Sequence, residues 1–166
     1  MEVSIYQHKM AYNYILFSFE LPTQKRTIIY NGRPYFVSVP KLSFLCLIDY
    51  SCSKLGFAPC ALYIIDPYGY IPYFPNILEI TAHVCLGNAG LGFCKSPFKA
   101  AYSLINKFWD SNFSDFFIND TFKGMFLENL NKNIIGTSTT TAIDPRMYYS
   151  KITEDELNEY VKSACR

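Results

Sequence analysis

The residues with the most latent chemistry are six cysteines: Cys46, Cys52, Cys60, Cys85, Cys94 and Cys165. A thiolate is a nucleophile and a metal ligand, whereas a buried thiol is a small apolar group. No two of them form a CxxC pair, so a zinc ribbon or a thioredoxin-like motif has no support. Cys46 and Cys60 fall in apolar patterns and read as core. Cys85 differs by context. It sits in Val84-Cys85-Leu86-Gly87, inside a stretch (residues 75–97) with little regular periodicity. Long unpatterned loops carry function more often than packing does. His83, two residues earlier, would lower the thiol pKa if it were an imidazolium; its plainer role is a solvent-facing side chain. Cys94 offers a second thiol of the same loop, which would suit a redox pair. A zinc site on Cys85, His83 and Cys94 lacks a fourth ligand. Gly87-Asn88-Ala89-Gly90-Leu91-Gly92 lacks the Lys-Ser/Thr ending of a phosphate loop and reads as pliant backbone beside the thiol. Asn76 follows Pro75 and is by type a turn former.

These residues need elements to hold them. Residues 12–21 alternate loosely and are rich in Tyr, Ile and Phe, as a strand requires. Residues 27–30 and 35–39 flank Asn31-Gly32, a pair that tolerates positive φ at both turn positions and signals a hairpin. The apolar spacing of Leu42, Leu45, Cys46 and Ile48 after Pro40 predicts a helix that runs to Leu55 and stops at Gly56. Residues 61–65 read as a buried strand. Asp66-Pro67-Tyr68-Gly69 is a type I turn signal, returning into a short or edge strand that holds Pro72. Residues 97–119 read as a helix with Phe98, Ala101, Tyr102, Ile105, Phe108 and Trp109 on one face. Residues 129–150 are polar and Thr-rich, as in a loop or mobile segment. Thr153-Glu154-Asp155-Glu156 is a capping-box pattern opening a last helix. A meander of strands, then a loop, then helices implies a single α+β domain over residues 1–166.

The run Phe74-Pro75-Asn76-Ile77, with Val84-Cys85-Leu86-Gly87 after it, resembles the signature of ubiquitin-conjugating enzymes. In that family a His-Pro-Asn-Ile run ends the strand meander and a Cys-Leu run follows with the nucleophile. The match is closer to a bacterial branch, the PRTRC system protein B type, through Val-Cys-Leu-Gly and a Trp-bearing helix. That helix corresponds to Phe108-Trp109-Asp110-Ser111-Asn112-Phe113-Ser114 here, and the resemblance spans roughly residues 58–117. It implies a ubiquitin-conjugating-like fold: an antiparallel meander packed against helices. It implies that Cys85 accepts the C-terminus of a ubiquitin-like modifier as a thioester and passes it to an amine of a target protein. The partners implied are that modifier, an adenylating activating enzyme and the target; no cofactor of its own is implied, since ATP serves the activating enzyme. Asn76 takes the place of the residue whose amide supports the oxyanion. His83 and Asp110 are possible supports, Asp110 by orienting an incoming lysine unless it and Asp115 simply cover a helix surface. Phe74 departs from the family's His, Gly87 from its common acidic residue, and the loop is a residue longer. The alternatives are an inactive adaptor with this fold and an unrelated thiol or redox enzyme.

Composition narrows the classes further. Half of the 166 residues are hydrophobic and 17% are charged, enough apolar surface for a packed core. The net charge is +1 with scattered Lys and Arg, which argues against a nucleic-acid partner. No apolar run approaches the roughly 20 residues of a membrane span, and Glu2 stands where a secretory signal has basic residues. The expected setting is therefore the cytoplasm, with no membrane partner and with the cysteines as thiols.

Overall fold

The computed structural model describes residues 2–50, 55–86, 91–114 and 120–164. Cys52, residues 87–90 of the glycine-rich loop, Asp115 and Cys165 lie outside the described residues. The chain runs β1 (Glu2–His8), β2 (Tyr14–Leu21), β3 (Gln24–Tyr30), β4 (Arg33–Val39), β5 (Leu42–Asp49), β6 (Ala58–Ile65) and β7 (Tyr70–Pro72). It continues as α1 (Pro97–Trp109), β8 (Asn112–Phe113), α2 (Asp120–Leu130), β9 (Thr137–Thr141), a 3-10 turn (Pro145–Tyr148), β10 (Tyr149–Ile152) and α3 (Glu154–Ala164). The fold is mixed α+β, with sheets that are antiparallel but for one parallel pair, and three helices among the described residues.

The main sheet has the order β10-β1-β2-β5-β6. Its meander is interrupted, because the β3–β4 hairpin leaves the sheet between β2 and β5 and pairs with β8 instead. The helix expected from Pro40 to Leu55 is not formed where the structure describes it: β5 occupies Leu42–Asp49, and residues 51–54 lie outside the described residues. β5 lies between β2 and β6, and its side chains are buried on both faces, so Leu42-Ser43-Phe44-Leu45-Cys46 is a continuous buried run, apolar but for Ser43. Such a run mimics a helical stripe, and only its length of eight residues speaks for a strand. One face carries Phe17, Phe19 and Phe44 and packs on α1. Phe17 meets Phe98 at 4.8 Å between ring centroids, Phe19 meets Tyr102 at 5.1 Å, and Phe44 meets Phe108 at 5.5 Å. Each such ring, when fully buried, stabilises by about 1.5–3 kcal/mol. Trp109 joins the small sheet to this layer, with the Arg26 guanidinium 4.2 Å from its ring centroid. The opposite face is met by the segment before β10, where Arg146 binds Asp144 at 2.8 Å and reaches Glu20 at 3.8 Å.

α1 opens as its sequence suggests, with Ser96 accepting the Lys99 N–H at 3.1 Å and Pro97 in the first turn. It ends ten residues earlier than the apolar spacing predicts. The chain caps at Asp110 and turns into β8, which pairs in parallel with β3. The polar stretch 129–150 carries β9, the 3-10 turn and the start of β10. The capping box is formed in full: Thr153 Oγ1 accepts the Glu156 N–H at 3.1 Å, and Glu156 Oε1 accepts the Thr153 N–H at 3.3 Å. The hairpin turn is two residues, with φ of 49° at Asn31 and 76° at Gly32. Its tip docks on β8: the Asn31 N–H donates to Phe113 O at 2.7 Å, and the Gly32 N–H donates to Asn112 Oδ1 at 3.0 Å.

A Cβ at Gly32 would meet nothing within 4 Å, so Gly32→Ala tests the backbone alone. The left-handed conformation should cost about 1–2 kcal/mol. Thermal melting should show a midpoint lowered by about 2–8 °C. An unchanged midpoint would mean that the turn relaxes freely and does not brace β8.

Candidate functional site around Cys85

The loop that carries Cys85 starts from a tight corner. Asp66 Oδ1 accepts the N–H groups of Tyr68 and Tyr70, both at 2.8 Å, and Gly69 closes the turn with its N–H on Asp66 O at 3.1 Å. β7 then pairs with β9 and delivers Phe74 into the core, where it is 1% exposed. Phe74 lies 5.0 Å from Phe108, 6.1 Å from Trp109 and 5.8 Å from Phe113. An aromatic anchor thus stands where the resembled family has His.

Asn76 and Cys85 are clasped twice. The Cys85 N–H donates to Asn76 O at 2.8 Å, and Asn76 Nδ2 donates to Cys85 O at 3.1 Å. Ile77 and Val84 form a bridge just inside this clasp. Residues 82–84 add to the free edge of β6 through Ile64 N–H to Ala82 O (3.1 Å) and Val84 N–H to Leu62 O (2.8 Å). Ala82, fully buried, holds a left-handed φ of 59°, the kind of backbone strain that loops retain only when their surroundings impose it. The result fixes the Cys85 backbone while its side chain stays exposed. Asn76 Oδ1 is buried without a partner, so the carbonyl end of this amide faces inward. One of the two amide hydrogens is engaged by Cys85 O; an Asn amide carries two.

Cys85 borders a groove of about 420 Å³ whose walls are Pro75, Asn76 and Leu86 on one side and Lys107, Asp110 and Phe113 on the other. Ser111, Asn112 and Ser114 complete it. The structure thus brings Cys85, Asn76 and Asp110 to one groove. His83 lines a different depression, shared with Cys85 and Cys60. It pairs with Tyr63, ring centroids 5.4 Å apart, and burial lowers its pKa, so it is neutral at neutral pH and supplies no cation to the thiol. Cys94 lines neither depression; its backbone pairs with Phe57 in both directions, at 2.7 and 2.9 Å. Gly56 makes that contact possible, since a Cβ there would lie 2.5 Å from Cys94 O. Cys60, which reads as core, is exposed: it falls at the β5–β6 register shift, between Pro59 opposite Ile48 and Ala61 opposite Leu47. Among the described residues no three His, Cys, Asp or Glu side chains are grouped to hold a metal. Lys107 and the Ser111–Asn112 wall are not apparent in the sequence, because they depend on where α1 stops. No protein-family model, curated protein or solved structure matches the chain.

Native-state alkylation with peptide mapping should label Cys85 and Cys60 and spare Cys46. Cys46 is fully buried on β5, and burial pushes its thiol pKa far up, which removes the reactive thiolate. Labelling of Cys46 at the rate of Cys85 in the folded protein would contradict this placement.

Proposed function

We propose that the chain is a ubiquitin-conjugating-like acyltransferase that carries a ubiquitin-like modifier as a thioester on Cys85 and transfers it to an amine. The observation that carries the reading is the clasp of Asn76 on Cys85 in a groove that Asp110 also lines. An exposed thiol on a rigid backbone suits a nucleophile that must meet a second protein. In the first step the thiolate of Cys85 attacks a thioester carbonyl presented by an adenylating activating enzyme, and the enzyme's thiolate leaves. In the second step an amine attacks the new thioester, the Cys85 thiolate leaves, and an amide forms. The acyl C-terminus is an extended tail, and a groove bordered by Pro75, Leu86 and Phe113 offers it apolar contact.

The far wall suits the second step. It is the C-terminal end of α1, whose last carbonyls carry partial negative charge and favour a cation. Asp110 caps that end. An incoming lysine ammonium is drawn there, and the carboxylate can take its proton as the amine attacks. The oxyanion forms next to Asn76, whose second amide hydrogen can point at it; comparable donors contribute about 2.7–4 kcal/mol. The proposal sets the protein in the cytoplasm, where such thiols stay reduced. No helix among the described residues is long and apolar enough to cross a membrane.

With the cognate activating enzyme, Cys85→Ala should take up no modifier, and Cys85→Ser should hold it as an oxyester that reductant does not cleave. Full charging of Cys85→Ala would remove Cys85 from the chemistry, and modifier bound without any covalent linkage would favour an adaptor. Asn76→Ala, pre-charged and discharged onto free lysine, should lose about 100-fold or more in rate while charging stays near normal. Equal losses in both steps together with a lowered melting point would restrict Asn76 to holding the loop.

A further inference from the structure

The groove beside Cys85 contains an amine of the chain itself. Lys107 lies in the last turn of α1 and lines the same groove as Cys85, Asn76 and Asp110. It is half-buried, and among the described residues its ammonium makes no ion pair or hydrogen bond. Seven other lysines are placed differently. Lys25, Lys41, Lys95, Lys99 and Lys151 are exposed and do not line this groove, while Lys132 and Lys162 pair with Glu128 and Glu159. The helix end that would attract a foreign lysine therefore already holds one. We infer that Lys107 is an internal acceptor: an acyl group carried on Cys85 passes to the Lys107 amine across the groove, so the chain modifies itself at this position.

The step needs no further reagent. The Lys107 ammonium gives a proton to the Asp110 carboxylate or to water, and the free amine attacks the thioester carbonyl. The C–S bond breaks as the C–N bond forms, and the Cys85 thiolate takes up a proton. A thioester becomes an amide, with no oxidant or reductant. Sharing one groove makes the reaction intramolecular, and well-oriented intramolecular reactions gain large effective concentrations. The product could no longer return its acyl group to the thiol, and it would fill the groove that an outside amine must enter. Self-modification would thus compete with transfer and limit the lifetime of an unused thioester.

The inference rests on the proposed acyl transfer at Cys85, and the test separates the two without an activating enzyme. The protein is incubated with a peptide ending in Gly-Gly as an alkyl thioester, then treated with hydroxylamine or left untreated, digested and mapped by mass spectrometry. Hydroxylamine removes thioesters and leaves amides. The expected result is a hydroxylamine-labile acyl group on Cys85 followed by a resistant one on Lys107, at about tenfold or more the occupancy of Lys25, Lys99 or Lys151. Cys85→Ala should lose the Lys107 adduct. Lys107→Arg, checked for folding by circular dichroism, should keep the Cys85 thioester and lengthen its lifetime. A Lys107 adduct that persists in Cys85→Ala, or a Cys85 thioester that never moves to Lys107, overturns this inference alone. Absence of any labile acyl group on Cys85 overturns both it and the reading it rests on.

Discussion

The aromatic knot around Phe74 is the contact on which the rest of the site depends. Phe74 comes from the loop, Phe108 and Trp109 from α1, Phe113 from β8 and Phe44 from the centre of the main sheet. Their ring centroids are 4.9–6.1 Å apart in edge-on, tilted and stacked pairs. Each pair adds about 0.5–1.5 kcal/mol beyond the burial of its area. Four elements that have no backbone ladder in common are locked there. The two walls of the groove grow directly out of this knot: Pro75 and Asn76 follow Phe74, and Asp110 and Asn112 lie between Trp109 and Phe113. A polar His at position 74 would have to find hydrogen-bond partners in the same buried space, or leave polar atoms unsatisfied. Phe74 removes that demand and holds the loop by packing instead.

Above the knot, the loop is ordered by main-chain hydrogen bonds that are few but well placed. Residues 82–84 use the otherwise free edge of β6, which both covers an exposed strand edge and sets the direction in which Cys85 emerges. The Asn76 clasp then closes the loop. Because one bond of that clasp uses the Asn76 side chain and the other its backbone, substitution at this position removes only one of the two. This makes a separation of positioning from oxyanion support experimentally accessible.

What could be read in the sequence follows from how local the determinants are. Asn31-Gly32, Asp66-Pro67-Tyr68-Gly69 and the Thr153–Glu156 box act within a few residues, and each forms as its chemistry dictates. The errors arise where tertiary context decides. β5 is buried on both faces because layers cover it on either side, so it has no period-two pattern to read. Cys60 is exposed at the β5–β6 register shift, which no local pattern reveals. The end of α1 is set by the docking of β8 on the hairpin, a contact between residues about 80 positions apart in sequence. The sequence motif singles out Asn76 and Cys85 but not the clasp between them, and Lys107 and the far wall are not legible either, since they follow from that helix end.

The electrostatics of the groove divide the labour on the proposed reading. The C-terminus of α1 favours cations and holds Lys107 on the far wall, and His83 is neutral, so no imidazolium promotes the thiolate at Cys85. Such promotion matters most when a thiol must attack an unactivated carbonyl. On the proposed reading the acyl group arrives already as a thioester, and exchange of one thioester for another is close to balanced in energy. The harder requirement is the next step, in which an ammonium must be drawn in, lose its proton and attack. That step is favoured by negative partial charge and a carboxylate, which is what the end of α1 and Asp110 provide. A groove arranged in this way does not distinguish the source of the amine. On the proposed reading any lysine held there is a substrate, and the first one held there belongs to the chain.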